Sequence, residues 1–442
     1  MIKEYTLGAY TLGCKVSQYE TEAISEAFEK RGFKILPFES ACDFYLVNTC
    51  TVTAESDRKS RQIIRRALKN NPLAHVLVCG CYSERRPWEI AKINGVSAVV
   101  GTDGKMGLVD IALDIIEKTE GKKPFTPRIE ISPLSEASFE KMSIERAPRT
   151  RAYVKIEDGC DSKCTYCAIK EARGRIRSKP VCEVIKEVEA LSKNGTQEIV
   201  LTGIETGAYG KDFQEPYTLA DLIFELDTRK SARQIRLGSL APELIGEGFV
   251  KRVRDCGILC PHFHISVQSG SDGVLHRMKR RYSSATALAV IGRLREAFPS
   301  AQFTTDIMVG FPGESEEEFS QTLDFVRKAR FLDAHVFTYS KREGTEAFDF
   351  DFQIENRVKE QRSKILRLLV CEIRAEILLE IINKKEQISA LVETREGGYY
   401  TAHSPSYLEI KFSDNGEDGL CGKVVKVHPV SQKDGVLYCT KE

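Results

Sequence analysis

The pattern of hydrophobic and polar positions divides the chain into parts with different periodicities. Up to about residue 118, apolar runs such as ACDFYLVNTC and HVLVCGCY alternate with amphipathic segments such as SDRKSRQIIRRALKN. That alternation predicts a small parallel α/β domain over residues 1–118. Over residues 147–350 apolar runs alternate with amphipathic segments six more times. The repetition predicts an open or partial (β/α)6 barrel, with its site at the carboxyl ends of the strands.

The segments outside these two domains have patterns of their own. Residues 119–146 are rich in Lys, Pro, Ser and Glu and lose the apolar periodicity, as is typical of a linker. Residues 351–385 have a long charged helical pattern that predicts a connecting helix. Over residues 386–442 apolar and polar positions alternate, as in YLEIKF and KVVKVHPV, which predicts a small antiparallel β-barrel. The predicted fold class is therefore α/β with a terminal β module.

The balance of charges and the cysteine content bear on the compartment and the partners of the protein. Lys and Arg number 65 against 64 Asp and Glu, so the net charge of +1 predicts nothing about nucleic acid. The sequence shows no export signal and no apolar run near the about 20 residues that cross a bilayer. We therefore expect a cytoplasmic protein without a membrane partner. In a reducing compartment, its 14 cysteines favour metal ligation over disulfides.

The strongest chemical signal is the C-x3-C-x2-C triplet formed by Cys160, Cys164 and Cys167 in DGCDSKCTYC. Thiolates are ligands of iron–sulfur centres, and three of them can hold three irons of a cubane while the fourth iron stays open. Buried cysteines without a metal are one alternative. A structural zinc site is another, but such sites usually close with four ligands and no fourth Cys or His is suitably near.

A second group of cysteines is spread over the first domain. Cys14, Cys50 and Cys81 each follow an apolar strand and precede residues that favour the start of a helix. Parallel topology brings the ends of such strands to one edge of the sheet, so the three thiols are expected to converge. The alternative is that they are small buried hydrophobic residues. Cys79 is expected to point to the opposite face of the sheet and has no assigned role.

These motifs together carry a family resemblance. TLGCKVSQYETEA, NTCTVT, GCY and DGCDSKCTYC followed by ARGRIRSKP resemble the methylthiotransferases, radical S-adenosylmethionine (SAM) enzymes with two 4Fe-4S clusters. The resemblance covers nearly the whole chain in the family's order of domains: a cluster domain, a radical SAM domain and a C-terminal TRAM module that binds tRNA. It implies that Cys14, Cys50 and Cys81 ligate an auxiliary cluster, and Cys160, Cys164 and Cys167 the SAM cluster.

The resemblance also implies a reaction and its partners. TLGCKVSQYETEA is closest to the branch that modifies N6-threonylcarbamoyladenosine in tRNA. In that branch a SAM-derived radical takes hydrogen from C2 of adenosine 37, and the sulfur inserted there is methylated by a second SAM. The implied partners are the tRNA anticodon stem–loop and an electron donor such as flavodoxin or ferredoxin, and we expect a monomer. Action on isopentenyladenosine or on a ribosomal-protein aspartate, and a non-catalytic iron–sulfur RNA-binding protein, are the alternatives.

Polar groups near predicted strand ends are candidates for binding SAM. Glu205 in LTGIETGAYG resembles the family's GGE-type element that meets the SAM amino group, and Gly203 permits close approach of the backbone. A surface glutamate at a strand end is the alternative. The other candidates are Tyr166 near the adenine, Ser239 and Gln268 for the ribose or the methionyl carboxylate, and Asp306, which supports SAM or substrate or only caps a helix.

Basic and aromatic residues supply a candidate surface for RNA. Two of three basic clusters adjoin predicted active-site loops, which favours a polyanion near the chemistry, although any such run is usually a solvated helix face. Three tyrosines of the terminal module offer stacking faces for unpaired bases, with core packing as the alternative. The basic residues are Arg58, Lys59, Arg61, Arg65, Arg66 and Lys69; Arg173, Arg175, Arg177 and Lys179; and Arg277, Lys279, Arg280 and Arg281. The tyrosines are Tyr399, Tyr400 and Tyr407.

Overall fold

The computed structural model describes residues 4–119, 126–147 and 150–441, without the side chain of Thr119. Its backbone divides into two compact units. The first unit comprises Met1–Ile144, Glu157–Lys179 and Ser340–Phe348, and the second comprises Glu145–Ile156, Pro180–Tyr339 and Asp349–Glu442. The segment with the cysteine triplet therefore belongs to the first unit. The domain bounds inferred from the sequence stay a prediction, and 120–125 of the predicted linker lie outside the described residues.

The first unit contains a six-stranded parallel sheet in the order β2-β1-β3-β4-β5-β6. Every residue of β3, β4 and β5 is buried, as expected of parallel strands covered on both faces. The predicted parallel α/β fold is confirmed, and β6 adds a strand inside the segment predicted as a linker. The strands are β1 Thr6–Thr11, β2 Lys34–Leu36, β3 Phe44–Thr49, β4 His75–Gly80, β5 Val96–Val100 and β6 Arg128–Glu130.

The helices of this sheet begin close to the ends of its strands. In the second of them, the Thr53 side chain accepts a hydrogen bond from the Ser56 N–H at 3.1 Å, which satisfies one of the open donors of the first turn. Helices cover both faces of the sheet and bury two apolar clusters against it. The helices are α1 Lys15–Lys30, α2 Ala54–Asn70, α3 Cys81–Arg85, α4 Pro87–Ala91 and α5 Leu108–Thr119, with a 3-10 turn at Lys105–Gly107.

The second unit begins with strand β7, Arg151–Lys155. The chain then contributes one segment to the first unit, in which two short antiparallel strands flank a single helical turn. That segment contains β8 Glu157–Asp158, α6 Ile169–Arg173 and β9 Arg177–Ser178.

The remaining strands of the second unit form an open parallel barrel with β7. The sheet orders are β11-β10-β7 and β12-β13-β14-β15, because the third barrel strand is divided at Gly238 into β11 and β12. Helices between the strands complete the six βα repeats that the sequence predicts. The strands are β10 Glu198–Thr202, β11 Gln234–Leu237, β12 Ser239–Leu240, β13 His262–Gln268, β14 Gln302–Val309 and β15 Asp333–Thr338. The helices are α7 Val181–Lys193, α8 Leu219–Thr228, α9 Glu247–Val253, α10 Asp272–Arg277, α11 Ser284–Ala297 and α12 Glu316–Ala329.

A long helix and a small closed barrel end the second unit. The strands follow one another around the barrel in the order β16-β17-β18-β20-β19. All neighbours are antiparallel except β18 and β20, which run parallel. A closed ring with an odd number of strands cannot alternate direction throughout, so the purely antiparallel expectation fails at one pair. The elements are α13 Asn356–Lys384, β16 Ile388–Glu396, β17 Tyr399–His403, β18 Glu409–Ser413, β19 Val424–Lys433 and β20 Val436–Lys441.

Over the described ranges, no helix combines the length and the apolar character needed to span a bilayer.

Candidate functional site

Three cysteines lie just past the ends of three neighbouring strands of the first unit. Cys14 follows β1, Cys50 comes directly after β3, and Cys81 comes directly after β4. Because β1 pairs with β3 and β3 with β4, all in parallel, the three positions share one edge of the sheet. The convergence expected from parallel topology is what the structure has.

Two glycines allow the backbone to bring these cysteines together. A Cβ on Gly13 would lie 3.1 Å from Cys50 Cβ and 3.3 Å from Cys50 Sγ. Gly80 adopts a φ of +100°, and a Cβ there would lie 2.6 Å from the Thr49 carbonyl oxygen. Only glycine combines that positive φ with the close packing that starts α3 at Cys81.

The pKa values of these cysteine thiols reflect their burial and their closeness to one another. Burial raises the pKa of the Cys81 thiol to about 12, Arg173 opposes that rise, and the neighbouring Cys50 and Cys14 thiols add to it. Burial also raises the pKa of Cys50, and Cys14 contributes there too. The protein alone therefore favours the protonated thiols, whereas a metal would bind them as thiolates.

Cys79 lies within β4, two residues before Cys81. It is completely buried and packs in the apolar cluster that contains Leu46 and Leu77. Its backbone carbonyl accepts a hydrogen bond from the Thr49 hydroxyl at 2.6 Å. This environment is that of a core residue and agrees with leaving Cys79 out of the ligand sets.

The second cysteine group is the loop between β8 and α6. The backbone N–H of Cys167 donates to the Cys164 carbonyl at 3.1 Å, which turns the loop. The Ser162 N–H lies 3.4 Å from Cys160 Sγ, and the Ile169 N–H lies 3.5 Å from Cys167 Sγ. Backbone N–H groups aimed at sulfur stabilise thiolates that bind an iron–sulfur cluster.

One buried arginine from the segment of the triplet contacts a cysteine of the first group. Arg173, at the end of α6, donates from Nε to Cys81 Sγ at 3.2 Å. Its terminal nitrogens donate to both oxygens of Glu20, at 2.8 and 3.2 Å, and to the Asp158 carboxylate at 3.1 Å. Lys105 also donates to Glu20 at 3.1 Å. These contacts connect helix α1, strand β8 and the start of α3.

The burial of this arginine corrects the predicted RNA-binding surface. Arg173, Arg177 and Lys179 were expected to form a basic patch, but all three are buried, and of that cluster only Arg175 is exposed. Lys179 donates to the Met142 carbonyl at 2.7 Å. A run of charges looks the same in a sequence whether it faces solvent or buried carboxylates, so the pattern could not separate the two arrangements.

The SAM-binding candidate Glu205 lies in the barrel of the second unit. It follows β10 and begins the 3-10 turn Thr206–Ala208. Its carboxylate accepts a hydrogen bond from the Ala241 N–H at 3.1 Å. Burial raises the pKa of Glu205 to about 7, an effect that the Ala241 hydrogen bond and Arg280 only partly offset. An ammonium group beside this carboxylate would favour its charged form.

Four further candidates lie near strand ends or in loops. Gly203 immediately follows β10, and Ser239 begins β12, opposite His264 of β13. Gln268 ends β13 beside an irregularity in its pairing with β14 and has a φ of +69°. A positive φ in a non-glycine residue marks a constrained backbone. Tyr166 is half-buried between two cysteines of the triplet.

Asp306 differs from its expected position. It lies in the middle of β14 rather than at the strand end, and its carboxylate oxygens lie 3.1 Å from His264 Nε2 and 3.4 Å from His335 Nδ1. Burial alone would raise the pKa of Asp306, but the hydrogen bonds with the two histidines hold it well below its usual range. Helix α12 is capped by Ser315, so Asp306 is not its cap.

Of the terminal tyrosines, some are packed against other side chains and one is exposed. Tyr400 is fully buried and stacks on Phe412 in the core of the small barrel. Tyr407 stacks on His262, with ring centroids 4.5 Å apart, and lies under the Arg236 guanidinium. Of the three predicted stacking faces, Tyr399 alone is exposed, with 45% of its surface accessible.

The chemistry of the six thiols suits iron–sulfur clusters. In a four-iron cluster each thiolate binds a different iron, so the ligands stand farther apart than the donors of one ion. The soft donors and the N–H groups aimed at three of the sulfurs suit iron and sulfide.

Comparison with known proteins identifies the family. Residues 154–326 match the radical SAM superfamily, and residues 6–101 match a family described as "Uncharacterized protein family UPF0004". A threonylcarbamoyladenosine tRNA methylthiotransferase MtaB from Bacillus subtilis is 38% identical over 96% of this chain and 93% of its own. The protein of that name from Thermotoga maritima is 36% identical, over 98% and 96%. The chain belongs to the radical SAM methylthiotransferase family. The predicted resemblance is confirmed.

This membership confirms the predicted class of enzyme and its cofactors, SAM and two 4Fe-4S clusters. A solved radical SAM methyltransferase, TsrM from Kitasatospora setae with cobalamin and a [4Fe-4S] cluster bound, superposes with a TM-score of 0.58. It shares 16% sequence identity and covers 78% of this chain and 77% of its own. At that identity the similarity concerns the fold. The two relatives named above are tRNA methylthiotransferases, and the expected tRNA partner is consistent with them.

Proposed function

We propose that this radical SAM methylthiotransferase converts N6-threonylcarbamoyladenosine 37 of tRNA into its 2-methylthio derivative. The names of its relatives from B. subtilis and T. maritima support this substrate. The observation that carries the proposal is the presence of two three-cysteine groups in one compact unit, where Arg173 of the segment with the triplet donates to Cys81 of the other group. A methylthio transfer needs both a source of radicals and a source of sulfur, and two cluster sites meet that need.

In this proposal each cysteine group ligates one cluster. Cys160, Cys164 and Cys167 hold the SAM cluster, and an auxiliary cluster takes the three thiols at the sheet edge, Cys14, Cys50 and Cys81. When bound, these groups and SAM supply radical generation, sulfur and the transferred methyl group. The protein supplies ligands, hydrogen bonds to sulfur and positioning. Three ligands per cluster leave one coordination position that the protein does not fill.

The barrel residues bind SAM in this proposal. The Glu205 carboxylate pairs with the SAM ammonium group, and Gly203 lets the backbone approach it. Ser239 and Gln268 offer uncharged hydrogen-bonding groups to the ribose or the methionyl carboxylate, and Tyr166 packs near the adenine. Asp306 supports the site indirectly in this proposal. Both of its carboxylate oxygens already contact histidines inside the barrel.

The tRNA partner would meet exposed basic and aromatic groups. Arg58, Lys59 and Arg65 of α2 are exposed, and so is Tyr399 of the terminal barrel. These groups suit the phosphates and unstacked bases of an anticodon stem–loop. The proposal further includes a flavodoxin or ferredoxin as the electron donor, a monomeric enzyme and a location in the cytoplasm, where tRNA is modified.

The decisive experiment is nucleoside mass spectrometry. Anaerobically reconstituted protein is incubated with SAM, a reductant and tRNA that carries threonylcarbamoyladenosine, and the digest is searched for the 2-methylthio nucleoside. A matched tRNA that carries isopentenyladenosine is the substrate control. Product from the control tRNA alone, or from neither tRNA with both clusters loaded, would refute the proposed substrate.

Two cysteine variants test the assignment of the clusters. Cys164→Ala is expected to abolish cleavage of SAM to 5′-deoxyadenosine. Cys81→Ala is expected to spare part of that cleavage but to stop sulfur transfer. Unchanged cleavage by the Cys164 variant would overturn the ligand assignment.

A further inference from the structure

The Arg173 guanidinium is completely buried and has contacts on all its nitrogens. Nε donates to Cys81 Sγ at 3.2 Å, while the terminal nitrogens donate to Glu20 and Asp158. No part of the side chain reaches solvent. Arg173 is therefore not available to RNA phosphates, and its contacts lie inside the first unit.

The two carboxylates orient the guanidinium. A guanidinium has five N–H donors in one rigid plane, so fixing its terminal nitrogens also fixes the direction of the Nε–H bond. Glu20 accepts hydrogen bonds from both terminal nitrogens, and Asp158 accepts hydrogen bonds from one of them. These two carboxylates are enough to compensate the positive charge of Arg173. The Nε–H donor, which neither carboxylate takes, is aimed at sulfur.

The anchoring residues come from the segments that carry the cysteines. Glu20 is on α1, which begins immediately after Cys14, and Asp158 is on β8, two residues before Cys160. Arg173 itself follows Cys167 by six residues, at the end of α6. A displacement of any of these segments would change the direction of the Nε–H bond at Cys81.

We propose that Arg173 is a positioning residue that sets the reduction potential of the auxiliary cluster. This inference rests on the proposed function only in that Cys81 ligates that cluster. Nε–H donates a charge-assisted hydrogen bond to the Cys81 thiolate, and such hydrogen bonds to cluster sulfurs are a principal means by which proteins tune these potentials. One-electron reduction by an external donor makes the cluster more negative, so the cationic donor favours the reduced form and raises the potential.

Arg177 provides a matched control for Arg173. It is also buried, lies on the same segment and approaches Asp158 at 3.7 Å, and its hydrogen bonds go to the carbonyl oxygens of Arg173 and Arg175. Replacing either arginine by lysine keeps one positive charge at that position. Only the Arg173→Lys change removes a donor that is directed at Cys81.

The first experiment measures the midpoint potential. In a Cys160→Ala, Cys164→Ala, Cys167→Ala background, which leaves the auxiliary cluster as the paramagnetic centre, mediated titrations with dithionite are followed by EPR. Adding Arg173→Lys is expected to lower the potential by an amount equivalent to at least a tenfold change in the ratio of reduced to oxidised cluster, about 59 mV. Adding Arg177→Lys is expected to shift it by less than half of that. Equal shifts in the two variants, or none, would overturn the proposal.

The second experiment needs no change at Arg173. The same cysteine background is prepared with 15N-labelled arginine, and the reduced cluster is examined by electron spin echo envelope modulation. A coupled 15N nucleus is expected, because Nε lies one hydrogen bond from a cluster ligand. A loaded cluster without such coupling would contradict the proposal even if the lysine variant fails to fold. Neither result depends on tRNA turnover, so failure of this inference and failure of the proposed substrate are distinguishable.

Discussion

The sharpest prediction concerns the glycine that precedes the cysteine triplet. Gly159 has a φ of +84°, and a Cβ added there would overlap the Arg175 carbonyl, at 2.6 Å from its carbon atom. Next to it, the Cys160 N–H donates to the Gly174 carbonyl at 3.0 Å. Gly159→Ala should therefore separate the two strands of the cysteine segment at the point where the first thiol is positioned.

The magnitude follows from three contributions. A residue with a Cβ in the left-handed region costs about 1–2 kcal/mol. Cβ atoms rarely approach another heavy atom within 3.0 Å, so the Arg175 carbonyl must also move by roughly 1 Å, and such overpacking costs about 1–3 kcal/mol. Breaking the adjacent hydrogen bond costs about 0.5–1.5 kcal/mol more. We expect a total of about 2.5–6.5 kcal/mol, concentrated in the segment of the triplet.

Gly195→Ala is the matched control, because Gly195 has a φ of +93° and a Cβ there would point into open space. It should cost only the backbone strain of about 1–2 kcal/mol. Anaerobic reconstitution followed by iron analysis and EPR is the assay. The Gly159 variant should retain the auxiliary cluster and lose most of the SAM cluster, while the control keeps eight irons. Full loading of the Gly159 variant would refute the reasoning.

Three further predictions concern other parts of the molecule. Cys81→Ala should bind four irons, whereas Cys79→Ala should bind eight and unfold at lower urea concentration, because it leaves a cavity in the core; equal iron contents would contradict this. SAM affinity, measured by equilibrium dialysis, should fall as the pH drops through about 7, because the Glu205 carboxyl becomes protonated. Glu205→Gln should bind SAM more weakly, and its SAM affinity should no longer fall as the pH drops through about 7. If the affinity of the variant still falls over that range, another group is responsible for the pH dependence. Arg236→Met should destabilise the second unit by about 1.5–3 kcal/mol in urea unfolding, because the buried Glu198 carboxylate loses its bidentate partner and keeps only Arg151, at 2.6 Å; a change below 1 kcal/mol would contradict this prediction.

The periodicity of the sequence was sufficient for most of the architecture. Continuous apolar runs, amphipathic helices and two-residue alternation correspond to the parallel sheet, the barrel and the terminal module, because burial imposes those periods. The convergence of Cys14, Cys50 and Cys81 could also be predicted, since parallel strands end at one edge. Strand β6 was missed because three residues at the edge of a sheet leave too short a pattern.

What the sequence did not reveal depends on pairing between distant residues. Asp306 looked like a strand-end carboxylate, but its position within β14 and its two histidines depend on the registers of three strands. Tyr407 looked like a free stacking surface, yet it packs on His262, far away in sequence. Such contacts have no local period, so a single sequence carries little sign of them.

Arg173 shows the same difficulty at the candidate site. Glu20 lies 153 residues from it along the chain and Cys81 lies 92 away, so nothing in ARGRIRSKP distinguishes an exposed charge from a buried one. Burying a paired arginine seldom adds stability over a well-packed apolar side chain. Stability therefore does not explain why a cation occupies this position. A directed N–H donor beside a sulfur ligand does explain it, because an apolar side chain of similar volume would fill the space but could not donate a hydrogen bond to the thiolate.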